Sequence, residues 1–328
     1  MKKTLFLLFS LVFLVSCNEN GDKPDERILS DSSGNINQIT LIIENELWEG
    51  PVGEAIRDNF AAMVEGLPQE EPMFSLSQIP PETFSGFVRK NRSFISVQEG
   101  KEAEARIIKD LYARPQTAAI ISGENEEELI HIINESSEKI ASAFKATEMK
   151  EKQRRMKKSL KKDGKLEEKF GLSLNFPSAY RYALEEDNFV WIRKEIPKGN
   201  MEILIYEVPI NQIESDTNTI GNIIKMRDSI GKAHIPGPKP EEGMHMITEE
   251  AYAPYLFETE IDGKFAYETR GTWEVKGAFM AGPFLNYAIK DEANNRFVVV
   301  EGFVFSPSRA KRDNMFEIDA ILQSADIE

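Results

Sequence analysis

The chain has 328 residues, 41% of them hydrophobic and 29% charged, which is enough for a sizeable core and for more than one average domain. Its formal charge of −15 argues against nucleic acid as a partner, because the phosphates would be repelled. A single cysteine, Cys17, excludes an internal disulfide framework and any site built from several thiolates.

The opening MKKTLFLLFSLVFLVSC has the three parts of a secretory signal. Lys2 and Lys3 carry positive charge, Leu5 to Val15 is apolar except for Ser10, and the small Ser16 precedes the cysteine. The run falls short of the about twenty apolar residues needed to cross ~30 Å of hydrocarbon. Leu14-Val15-Ser16-Cys17 resembles the lipobox of bacterial lipoproteins. That resemblance implies cleavage after residue 16, a diacylglyceryl thioether on Cys17 and acylation, as with palmitate, of the new amino group. Residues 1–16 are then the signal peptide, and two or more acyl chains give stable anchoring in a membrane. Asn18 rather than Asp follows the cysteine, which points to the outer membrane of the cell envelope. Residues 17–38 are polar, with Gly21, Pro24 and Gly34, and read as a flexible lipidated tether.

Residues 39–144 read as a mixed α/β domain. QITLIIE is a β-branched strand, and Trp48 to Met63 places Val52, Ile56, Phe60 and Met63 on one helix face. PMFSLSQI, RSFISVQ and TAAIISG are further strands, and residues 124–144 form a helix with Leu129, Ile132, Ile133, Ile140 and Phe144 inward. From 145 to 169 the composition turns basic (KATEMKEKQRRMKKSLKKDGKLEEK), which predicts a solvated helical connector rather than a basic surface that grips anionic lipid head groups or a polyanion.

Residues 170–328 read as a second α+β domain. FGLSLNFP, NFVWIRKEI and MEILIYEVPI are strands, and TIGNIIKMRDSIGKA is a helix with Ile220, Ile223, Ile224 and Ile230 on its apolar side. A Pro/Gly-rich loop follows, then antiparallel strands with Asp262-Gly263 as a two-residue hairpin turn. A final helix opens at Ser306-Pro307. The fold class is α+β: two mixed domains, the C-terminal one an antiparallel sheet with flanking helices. Phe-x-Leu-Ser occurs at Phe74 and Phe170, a match too short to assert a duplication.

The lipobox, LWEGPVGEAIRD, the YARPQ turn from Tyr112 to Gln116, GTWEVKGAFMAGPF and VEGFVFSP resemble a family of uncharacterised lipoproteins, domain of unknown function 4837. The resemblance implies an envelope-anchored protein and coverage of nearly the whole mature chain; it brings no catalytic residue. The element order of the second half is similar to the Mog-one and PsbP-like fold, which implies binding or assembly by analogy of fold alone.

No Walker A loop, dinucleotide glycine pattern, H-E-x-x-H or G-x-S-x-G elbow is present, and no cofactor or metal is expected. His131 sits in a helix, while His234 and His245 bracket the Pro/Gly-rich loop without a reason to converge on zinc. Glu249 and Glu250 are an adjacent acidic pair, which a strand would point to opposite faces. Arg270, Trp273, Phe279 and Phe284, set among glycines, have two readings. They are sheet core, by alternation along a half-buried strand, or a binding surface of the Trp-plus-Arg kind. The expected function is a non-enzymatic envelope module that meets a partner protein or envelope polymer through its second domain. A hydrolase or carrier acting on glycan, lipid or peptide is the competing class.

Overall fold

A computed structural model describes residues 28–328, so Cys17 and the signal peptide lie outside the described residues. The first half is built on five strands: β1 (Gln38–Ile42), β2 (Ser75–Ile79), β3 (Ser93–Glu99), β4 (Glu104–Lys109) and β5 (Thr117–Gly123). Their order is β2-β1-β3-β5-β4, parallel except for β4, which runs antiparallel at the edge. Parallel neighbours need crossover segments. Helices α1 (Asn45–Glu49) and α2 (Pro51–Phe60) supply the first. The single helix expected over Trp48–Met63 is thus two. Gly50 takes an extended conformation and Pro51 starts a new first turn, where its missing N–H costs nothing.

Helix α3 runs unbroken from Glu126 to Met156. Asn125 caps it by accepting from the Glu128 N–H at 3.1 Å, and Leu129, Ile133, Ile140 and Phe144 pack on the sheet. The expected boundary at 144/145 therefore falls inside one helix, whose last three turns are packed rather than solvated. Glu148, Glu151 and Met156 are buried there. The expected tether is also shorter, because Ser30–Asp31 pairs with Ala113–Arg114 and Gln38 belongs to β1.

After α4 (Lys165–Phe170), the second half forms one antiparallel sheet of eight strands, with the short α5 (Ile210–Ile213) directly after the third of them. These are β6 (Arg181–Glu186), β7 (Phe189–Ile196), β8 (Gly199–Pro209), β9 (Met246–Thr248), β10 (Tyr255–Ile261), β11 (Lys264–Val275), β12 (Ala281–Asp291) and β13 (Arg296–Phe305). The order is β9-β11-β12-β13-β8-β7-β6, with β10 beside β9 along the outer edge of β11. Asp262 and Gly263 both have positive φ and join β10 to β11 as the expected tight hairpin.

Both faces of this sheet are covered, which explains the nearly unbroken apolar run RFVVVEGFVF in β13. Val298, Val300 and Val304 face α7 (Arg312–Leu322), while Phe297, Val299 and Phe303 face α6 (Thr219–His234). The final helix starts at Arg312 and not at Ser306-Pro307. Its cap comes from the other half of the molecule. The Glu71 carboxylate accepts from the Lys311 N–H at 2.7 Å and the Arg312 N–H at 2.9 Å, an anion placed at a helix N-terminus. Lys152 of α3 pairs with Glu317 of α7 at 2.7 Å. Burial pushes the Glu317 carboxyl up, but Lys152 and Lys194 outweigh it and hold the group below the usual range.

Candidate functional site

The pleat separates the four residues proposed as a surface. Arg270 and Trp273 are three positions apart on β11, so they point to opposite faces of the sheet. Trp273 is buried, edge-on to Phe303 at 5.3 Å, and Phe284 is buried beneath the Arg227 guanidinium at 3.4 Å. Phe279 stands alone and fully exposed near the tip of the β11–β12 hairpin. Trp273 and Phe284 are core side chains, and the core reading of the hairpin holds for them.

The histidines are equally dispersed. His131 lies 3.4 Å from Glu135 on an exposed stretch of α3, His234 stacks on Phe189 at 4.0 Å, and His245 Nδ1 meets the Gly243 carbonyl at 2.7 Å. Glu249 follows β9 with its N–H bonded to the Thr272 carbonyl, and Glu250 borders the hairpin tip with Glu274 and Lys276. Among the described residues no three His, Cys, Asp or Glu side chains are grouped to hold a metal ion.

Of these four residues, Arg270 and, on the floor, Phe284 line a cleft of about 750 Å³ between the two halves. Its size falls within the roughly 300–1,000 Å³ of small-molecule sites. One wall is the loop after α2, with Met63, Leu67 and Met73. A second is a single face of α3, where Lys145, Ala146, Met149, Lys150 and Gln153 follow one another at helical spacing. The opposite wall is α7 with Met315, Phe316 and Asp319, and the floor is the start of β12 beside Arg270.

The charges of the cleft are coupled. Arg270 is ion-paired with Glu268 two residues before it on the same strand face. Burial works against the Arg270 charge, but Glu268 and Asp319 outweigh it and raise its pKa. Asp319 Oδ1 accepts from Tyr287 Oη at 2.8 Å and from Gln323 Nε2 at 2.9 Å. Desolvation pushes the Asp319 carboxyl up in spite of Arg270. Across the cleft, desolvation and then the charge of Arg270 lower the Lys145 ammonium. Lys145 keeps contact with solvent, so this lowering describes a crowded cleft wall and not a buried lysine. Another raised carboxyl, Glu202 at about 7, lies outside the cleft, bonded to Trp191 Nε1 at 2.7 Å and Arg193 Nε at 2.8 Å.

Four cations (Lys145, Lys150, Arg270, Arg312) and two acids (Glu65, Asp319) line this space in a chain whose net charge is −15. The cleft is therefore an electropositive island with apolar walls, suited to an anion that carries apolar surface. Sequence reasoning singled out Arg270 and Phe284 and noted the basic run that begins at Lys145, but not their convergence, because the lining comes from segments far apart in the chain.

Fold and cleft together define a two-part α+β protein whose halves meet across an electropositive recess. The chain belongs to the family described as domain of unknown function DUF4837, whose model matches residues 159–324. A second model, domain of unknown function DUF8532, matches residues 32–157. The expected coverage of the whole mature chain by the first family is thus corrected: LWEGPVGEAIRD and YARPQ fall in the second match. The two matches meet where α3 ends. No curated protein matches the chain. Among solved structures, the solution structure of cyanobacterial PsbP (CyanoP) from Synechocystis sp. PCC 6803 is similar at 13% identity and a TM-score of 0.35, over 52% of this chain and 93% of that one.

Proposed function

We propose that this is a non-enzymatic, lipid-anchored protein of the cell envelope, held at the outer membrane through Cys17, whose cleft binds an anionic envelope component. The observation that carries the binding reading is the net positive lining of an interdomain recess in a strongly acidic chain. The leader, the small residue before Cys17 and Asn18 after it support the anchor. No described helix is long and apolar enough to cross a membrane.

Two measurements test this. In fractionated cells, Cys17→Ala should move the protein from the membrane to the soluble fraction; retention and unchanged processing would sink the anchor. A photo-crosslinking side chain at position 149, inside the cleft, should capture a component that the same group at 279, on the hairpin tip, does not. Capture at 279 alone would place the contact surface on the hairpin and remove the cleft from the reading.

Hydrolysis is the competing reading, and Asp319 favours it, since a carboxyl raised by burial in a cleft is the usual form of a general acid. Chromogenic ester and glycoside substrates decide it. Turnover that disappears in Asp319→Asn would make the protein an enzyme.

A further inference from the structure

The polar groups around the cleft are not equally available. Arg270 is held by Glu268, and Arg312 donates to the Pro72 carbonyl at 2.9 Å and to Asp313. Gln153 donates to the Ala320 carbonyl and Gln323 to Asp319. Among the described residues, Lys145 and Lys150 have no carboxylate within 4 Å, and both stand on α3. Apart from Asn37, Glu65 and Asp319, the remaining lining is apolar and rich in one residue type: Met63, Met73, Met149 and Met315 are all part of it. Methionine is unbranched and polarizable, so a wall of several adapts to a flexible apolar chain instead of a rigid ring system. A peptide would need hydrogen-bond partners along its whole length, and Gln153, Arg270, Arg312, Asp319 and Gln323 are already engaged.

We infer that the cleft takes a single-chain acyl amphiphile, its anionic head on Lys145 and Lys150 and its chain along Met63, Leu67, Met73, Met149, Met315 and Phe316. This rests on the cleft reading above and names its ligand class. Carboxylate and phosphate heads share the chemistry. An anion beside Lys145 also relieves the repulsion this ammonium feels from Arg270.

The full chain carrying Cys17→Ala, free of its own acyl groups, is the material for the test. Palmitate, hexadecyl phosphate, 1-hexadecanol and acetate are titrated below micelle-forming concentrations, with stoichiometry read by native mass spectrometry. One acyl anion should bind per chain, at least tenfold tighter than hexadecanol, with no measurable binding of acetate. Binding by palmitate or by hexadecyl phosphate alone upholds the proposal and fixes the head group. Ala146→Trp, which fills the cleft from α3, should abolish binding without lowering Tm. Lys145→Gln should weaken the acyl anions and leave hexadecanol unchanged. Equal affinity for hexadecanol, or binding that survives Ala146→Trp, would overturn the proposal. If neither acyl anion binds while crosslinking from position 149 still captures a component, the ligand class fails and the cleft reading stands. If both fail, both readings fall.

Discussion

Arg227→Ala is expected to lower the unfolding free energy by about 3–5 kcal/mol, because it leaves Glu301 charged and buried without its partner. Arg227 and Glu301 are each 1% exposed, under α6 and on the central strand β13. The pair is bidentate, Nε to Oε2 at 2.8 Å and Nη2 to Oε1 at 2.6 Å. Asn286 Nδ2 donates to Oε2 at 2.8 Å, the third Arg227 nitrogen donates to Thr248, and the guanidinium lies over Phe284. Such a pair is expensive to break and of little net benefit to keep, so the double variant tells more than the single one. Arg227→Met with Glu301→Leu should recover most of the loss, since apolar replacements of similar volume remove both desolvation penalties. Recovery should stop short of complete, because Asn286 and Thr248 then lose partners. Urea unfolding of the three proteins measures this. Similar midpoints for Arg227→Ala and the parent would mean that the pair is solvated.

This pair also shows what the sequence made legible. Ile220, Ile223 and Ile230 set a helical stripe, and position 227 lies on it, four residues after 223 and three before 230. An arginine favours solvent, but its place on the stripe puts it under the helix, and Arg227 is buried. Glu301 is its counterpart, a lone acid inside VVVEGFVF. Each misfit is the other's partner, but they are 74 residues apart and no local pattern joins them. Strands, the hairpin at Asp262-Gly263 and the long helices were readable, because period and turn chemistry are local. The short edge strands β4 and β6 were not, since EARIIK and RYALEE lack a buried face of their own. Of the cleft, Arg270 and Phe284 were singled out from sequence. Its other groups owe their chemistry to the meeting of α3 with α7, a tertiary contact.

Glu148→Ala should cost a similar amount, about 3–5 kcal/mol, by the same mechanism in the first half. If residues 145–169 were a solvated connector, the change would fall within about 0.5 kcal/mol. Instead the Glu148 carboxylate is fully enclosed and accepts four hydrogen bonds. Arg92 donates at 2.9 Å and 2.8 Å, the Ser93 hydroxyl at 2.8 Å and the Asn37 N–H at 3.2 Å. Glu148 and Glu151 continue the stripe of Ile140 and Phe144 at spacings of three and four, so α3 buries the same face after its apolar residues end. Glu138→Ala, an exposed change on the same helix, is the control and should be close to neutral. The same packing fixes where the first half ends. A chain cut after Phe144 would leave Arg92 buried without Glu148 and Glu151 and should not fold, whereas one cut after Lys157 keeps both carboxylates. Urea unfolding of the two fragments separates these outcomes: a cooperative transition in the shorter one would mean that Arg92 finds water when the last turns of α3 are gone.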